Sequence, residues 1–182
     1  MNPTDLSPES PMSAIMEKLP GARRALFSHY HLGGCQSCGF SDSETLAELA
    51  ARSGGMDPAE MLAQLLAADL HDQAMQISPE EVRAQLDAGE SVLVIDTRTR
   101  EEFEAVRIEE AEFMTQELQQ ALFAGDPEKS IVLYDHLGRH VLDHCSWFRG
   151  HGLKKTFAMA GGIDAWSQKV DPSVRRYRLE LD

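Results

Sequence analysis

Cys35 and Cys38 flank Gln36-Ser37 in a stretch bounded by Gly33-Gly34 and Gly39. Two thiols at this spacing have three chemical uses. They can close into a disulfide and work as a redox or persulfide-handling dithiol, one thiolate attacking and its neighbour resolving the mixed species. They can supply half of a metal site, or they can stay reduced and inert. Spacing alone does not choose, and no Lys, Arg or tight helix N-terminus at the pair enforces a lowered thiol pKa. The metal use draws on His29, His31, Cys35 and Cys38, whose composition equals a zinc set of two cysteines and two histidines, although the histidines lie closer to the cysteines than in familiar zinc fingers. Two copies of the chain could instead gather four cysteines around zinc or an iron–sulfur cluster. On the dithiol reading no cofactor is expected. The third thiol, Cys145, shares one predicted helical face with Val141, Leu142 and Phe148, which predicts a buried, inert side chain. His136 and His140 form a second polar group, with no serine or thiol beside them to activate.

The chain that must position these groups has 182 residues and a hydrophobic content of 42%, ordinary for a globular protein. Thirty acidic against 17 basic side chains give a net charge of -13, which argues against a nucleic-acid partner; Arg23 and Arg24 are a pair and not a patch. No apolar run approaches the roughly 20 residues that span a bilayer, and the acidic, Pro/Ser-rich start lacks a leader pattern, so no membrane role and a cytoplasmic location are expected. Residues 1–11 have little to bury and read as a disordered lead-in. Residues 12–70 read as a small all-helical domain: Ser13 can cap a first helix, Pro20 opens a second, Ser41 with Glu44 forms a capping-box pattern before Leu46, Leu49 and Ala50, and Asp57-Pro58 starts a fourth with Met61, Leu62, Leu65 and Leu66 as its buried stripe. Residues 71–74 read as a short link. From Met75 short apolar runs alternate with helical stretches, the pattern of a mainly parallel sheet with helices on both faces. Ser91–Ile95 and Ser130–Tyr134 are its central strands, while Ser78-Pro79-Glu80-Glu81 opens one helix and residues 115–123 supply another.

Ile77-Ser78-Pro79-Glu80-Glu81-Val82, Val94-Ile95-Asp96-Thr97-Arg98, Glu101-Glu102-Phe103, Ile131-Val132-Leu133-Tyr134 and Ala160-Gly161-Gly162-Ile163-Asp164-Ala165-Trp166 follow one another in the order and spacing of a single rhodanese domain. Residues 74–182 resemble that family, with Arg107 in place of its usual histidine. The resemblance implies an α/β rhodanese-like fold. It also implies that the loop after Tyr134 corresponds to the active loop Cys-x-x-Gly-x-Arg, whose thiolate carries a persulfide among converging backbone N–H groups. Here the loop reads Asp135-His136-Leu137-Gly138-Arg139-His140, so the nucleophile position holds Asp135 and the last arginine position holds His140. A carboxylate cannot hold sulfane sulfur, so the domain is not expected to be a conventional thiosulfate sulfurtransferase. Asp135 is expected to fill the anion site at the start of the following helix, with Asp96 and Arg98 as a salt-bridged support under the loop.

Leu32-Gly33-Gly34-Cys35-Gln36-Ser37-Cys38 followed by Glu44-Thr45-Leu46-Ala47-Glu48-Leu49-Ala50 gives residues 12–68 a resemblance to the hybrid-cluster-protein-associated disulfide domain. That resemblance implies a disulfide-forming Cys35/Cys38 pair. The combined expectation is a protein of sulfur or redox metabolism in which an inactive rhodanese domain docks another protein of that metabolism and the dithiol carries the chemistry. The alternatives are a metal-binding module and a non-enzymatic docking or regulatory protein.

Overall fold

The computed structural model describes residues 5–33 and 39–177, and the chain forms two compact units that divide between Ala74 and Met75.

The first unit is all-helical: α1 (Met12–Lys18), α2 (Ala22–Tyr30), α3 (Leu46–Arg52) and α4 (Pro58–Ala74). Met12, Ile15, Leu19, Leu26, Leu46, Leu49, Met61 and Leu65 form its core. Four expectations are corrected here. The stretch before Met12 is not a loose lead-in over its described part. Leu6 is buried in the helical core, and burying a leucine contributes about 1.5–3 kcal/mol. The carbonyls of Pro8 and Ser10 also accept from the N–H groups of Ala47 and Leu46, the first turn of α3. Helix α1 starts after Pro11 without a side-chain cap, and Ser13 N–H donates to the Asp42 carbonyl. The capping box of α3 is Thr45 with Glu48 and not Ser41 with Glu44, because Glu44 is drawn to Arg52 and Ser41 closes only a local turn. Residues 71–74, read as a link, are the last turn of α4. Asp57 opens α4, its carboxylate accepting from Ala59 N–H at 2.8 Å.

The second unit runs β1 (Gln76–Ile77), α5 (Pro79–Asp87), β2 (Val92–Asp96), α6 (Arg100–Ala105), β3 (Glu112–Phe113), α7 (Gln116–Phe123), β4 (Ser130–Tyr134), α8 (Val141–Gly150), β5 (Thr156–Met159) and α9 (Gly162–Lys169). All described strand pairs are parallel, in the order β1-β5-β4-β2-β3. Successive side chains of a strand point to opposite faces, and β4 shows the result. Ile131 and Leu133 pack with Val141, Leu142, Cys145 and Phe148 of α8 and Leu122 of α7. Val132 and Tyr134 pack with Val82 of α5 and Ile163 and Trp166 of α9. Continuous apolar strands are what two covered faces require. Ser78 and Glu81 cap α5 reciprocally, as do Thr99 and Glu102 for α6.

The strand order reverses between β2 and β4. At such a switch point the loops leaving the carboxyl ends of the strands splay apart and open a crevice. Asp96, the last residue of β2, is in register with Tyr134, the last of β4, and Asp135 follows directly after it.

Candidate functional site

The loop leaving β4 is held from within by Asp135. One carboxylate oxygen accepts from Gly138 N–H; the other accepts from His140 N–H at 2.8 Å and Val141 N–H at 2.9 Å. Helix α8 begins at Val141, so the carboxylate sits against its positive end, where an anion is favoured. Gly138 is required twice over. Its φ is +75°, and an added Cβ would lie 2.5 Å from Gly161 N. Gly162 meets the loop from the other side, where a Cβ would collide with the Asp135 carbonyl. The two segments are also hydrogen-bonded: Ile163 N–H donates to the Asp135 carbonyl at 2.9 Å and Asp164 N–H to the His136 carbonyl at 3.1 Å. Helix α9 has no side-chain N-cap, and these loop carbonyls satisfy its first N–H groups instead.

Beneath the loop Asp96 and Arg98 form a buried pair. Arg98 Nε donates to both carboxylate oxygens at 2.9 and 3.1 Å, its Nη2 donates at 2.5 Å, and Arg98 N–H donates at 2.9 Å. Arg98 also donates to the Val106 carbonyl at 2.7 Å. Burial alone would lower the Arg98 pKa, but bonding to Asp96 outweighs it and the guanidinium is held above its ordinary value. Tyr134 is fully buried above the pair; burial first, then the Asp96 charge, pushes its hydroxyl well above the usual tyrosine range. Thr97 N–H and hydroxyl both donate to the Tyr134 carbonyl, at 2.9 and 3.0 Å, tying the ends of β2 and β4 together.

Above the loop lies a cavity of about 1070 Å³ whose walls include Arg98, Glu102, Asp135, His136, Leu137, Arg139, His140, His144, Asp164, Arg176 and Tyr177. Every residue read from the loop sequence except Gly138 thus lines it. Leu137, Arg139 and His140 are exposed, as is His144 one turn into α8. Cys145 does not join them: it is fully buried, and its thiol donates to the Thr156 carbonyl at 3.2 Å. Arg107 is exposed, its guanidinium 5.0 Å from the Phe103 ring centre.

Sequence reasoning missed Glu102, His144, Asp164, Arg176 and Tyr177 as site residues. Tyr177 lies among Arg175, Arg176 and Arg178 after the last helical pattern, and nothing in that stretch marks it as a site residue. Its hydroxyl accepts from Arg98 Nη1 at 2.7 Å and donates to Glu102 at 2.5 Å, and burial followed by the bond to Glu102 pushes its pKa up to about 12.

Cys35 and Cys38 lie outside the described residues. Of the metal alternative, His29 is exposed in the last turn of α2, and His31 is exposed at its C-cap in the left-handed region with φ of 57°. His31 stands edge-on to Phe27, ring centres 6.2 Å apart. No helix among the described residues is long and apolar enough to cross a membrane.

A family model, the Rhodanese-like domain, matches residues 78–169. Over 104 residues the chain is 27% identical to a probable adenylyltransferase/sulfurtransferase, MoeZ, of Mycobacterium tuberculosis, covering 56% of this chain and 26% of that protein. Over 52 residues it is 35% identical to the chloroplastic Rhodanese-like/PpiC domain-containing protein 12 of Arabidopsis thaliana, covering 29% of this chain and 17% of that one. The chain therefore spans about a quarter or less of either relative's length. Among solved structures, a human single-domain sulfurtransferase, TSTD1, aligns with TM-score 0.44 and 24% identity, covering 52% of this chain and 96% of that one. A rhodanese-like domain protein from Staphylococcus aureus aligns with TM-score 0.44 and 20% identity, covering 50% and 89%.

Proposed function

Because the chain belongs to the Rhodanese-like domain family, we propose that its second unit is a non-catalytic member of a sulfur-transfer family, one that docks or regulates another protein of sulfur or redox metabolism in the cytoplasm. The observation that carries this reading is the Asp135 carboxylate accepting three backbone N–H groups where, by family resemblance, a persulfide-bearing cysteine would stand. Sulfur transfer needs a polarisable thiolate that can form and break an S–S bond, and a carboxylate does neither. Asp135 instead holds the loop in shape and leaves His136, Leu137, Arg139 and His140 on the cavity wall as recognition surface. On this reading the reactive chemistry belongs to Cys35 and Cys38 as a redox or persulfide-handling dithiol in a disulfide-type helical domain.

The purified protein is expected to form no thiocyanate from thiosulfate and cyanide, whereas Asp135→Cys is expected to load one sulfane sulfur, seen as the mass of one added sulfur atom. Turnover by the unaltered protein that survives Cys35→Ser would refute the non-catalytic reading. For the dithiol, intact mass spectrometry of protein purified without reductant is expected to show a disulfide or added sulfur that Cys35→Ser abolishes. A mass gain of zinc or an iron–sulfur cluster, lost on denaturation, would replace the dithiol by a metal centre at Cys35 and Cys38, with His29 and His31 as the further candidate ligands. Reduced apo-protein that resists oxidation would leave docking as the whole function.

A further inference from the structure

The chain beyond α9 turns back over the loop. Asp171 N–H donates to the Trp166 carbonyl at 3.0 Å and Val174 N–H to the Asp171 carbonyl at 3.2 Å. Val174 is buried against the apolar core, and its carbonyl accepts from the buried Ser167 hydroxyl at 2.5 Å. From that anchor Arg176 reaches Asp164 with two bonds, at 2.6 and 3.0 Å. Tyr177 then lies flat on His136, ring centres 4.3 Å apart and planes 7° from parallel, while its carbonyl stands 3.1 Å from His136 Nε2. Its hydroxyl bridges Arg98 and Glu102. Three separate parts of the cavity wall, the β4 loop, the end of β2 and the first turn of α6, are thus joined by one side chain.

We propose that residues 171–177 are an intramolecular strap that closes one side of the aspartate-loop cavity, so that Asp135 and its loop become accessible from that side only when Tyr177 lifts from His136. The anchor and the latch are different in kind. Val174 is held by burial and by a buried hydroxyl, whereas Arg176 of the Arg176–Asp164 pair is exposed to solvent, and ion pairs with an exposed partner contribute little. The Tyr177 stack and its two hydroxyl bonds are therefore the element that decides between closed and open, with Val174 as the fixed end. This inference concerns access to the loop and holds whether or not a protein docks there.

The test uses the full chain with Asp135→Cys, and follows alkylation of the introduced thiol by iodoacetamide with peptide mass spectrometry, alone and combined with Tyr177→Phe or Tyr177→Ala. Removing the ring and its bonds is expected to speed alkylation on the order of tenfold, the scale of local opening released by losing a stacked ring and two hydrogen bonds. Tyr177→Phe keeps the stack and is expected to give a smaller increase. Equal rates in the three proteins would overturn the strap. Cys145 is the fold control: a parallel rise in its labelling would mean that the unit as a whole had loosened, and would also overturn it. A second measurement leaves position 135 native. The stacked geometry places the His136 ring protons upfield of free histidine in the expected NMR spectrum, and in Tyr177→Ala they are expected to return toward it; an unchanged shift would show that Tyr177 does not cover the loop in solution.

Discussion

Three N–H groups converge on Asp135, one at the residue preceding α8, one at its first residue and one at a glycine with positive φ. Without an acceptor these donors would be left facing one another in a largely buried pocket. Hydrogen bonds to a charged group contribute about 1.5–3 kcal/mol, so Asp135→Ala is expected to lower stability by about 2–3 kcal/mol in urea denaturation. Asp135→Asn, which keeps one acceptor oxygen, should lose less. Asp135 was legible in the sequence because the rhodanese resemblance places the active loop after the apolar run Ile131–Tyr134, with Gly138 kept at its position in that loop. Tyr177 was not, because nothing local distinguishes a tyrosine that stacks on a residue of another loop from one in solvent. Its partners Arg98, Glu102 and His136 come from distant parts of the chain and only the sheet topology brings them together.

Elements were read correctly where the local chemistry was self-contained, and misread where a distant group intervened. Ser78-Pro79-Glu80-Glu81 needs only its own turn to open a helix and does so as read, with Ser78 and Glu81 capping each other. Ser41/Glu44 and Thr45/Glu48 are overlapping patterns of one kind, and the choice between them falls to Arg52, which takes Glu44, and to the carbonyls of Pro8 and Ser10, which meet the helix start one residue after Thr45. The same dependence makes α6 and α9 pH-sensitive. Burial acts to raise the Glu102 pKa, but the bonds from Tyr177 and Thr99 outweigh it and the value lies below 4.5; Asp164 is lowered below 3.8 mainly by Arg176. A carboxylate lowered on folding adds stability that is complete above its unfolded value and is lost as pH falls through the folded one. Stability is therefore expected to decline in acid below about pH 4.5, and the gap in denaturation midpoint between the native chain and Glu102→Gln should close over that window. A gap that stays constant into acid would remove Glu102 from the account.

At the scale of the molecule, each unit carries its own apolar core, with Met12, Ile15, Leu46 and Met61 in the first and both faces of the sheet covered in the second. Residues 75–182 expressed alone are accordingly expected to unfold in a single cooperative transition with native far-ultraviolet dichroism; a broad, non-cooperative melt would show that this unit depends on the first. The alternation of strand and helix made the second unit legible, since a parallel sheet covered on both faces leaves the same apolar signature at every central strand. In the first unit the helical stripes were legible, but the ordering of residues 5–11 was not, because Leu6 is a single apolar residue whose burial depends on helices that come later in the sequence. The start of α9 shows a dependence of the same kind. Its Ile163 and Asp164 N–H groups donate to the Asp135 and His136 carbonyls, across an intervening helix and strand. That helix start and the β4 loop therefore hold each other in shape, and the aspartate loop depends on a helix that follows one helix and one strand later in the sequence.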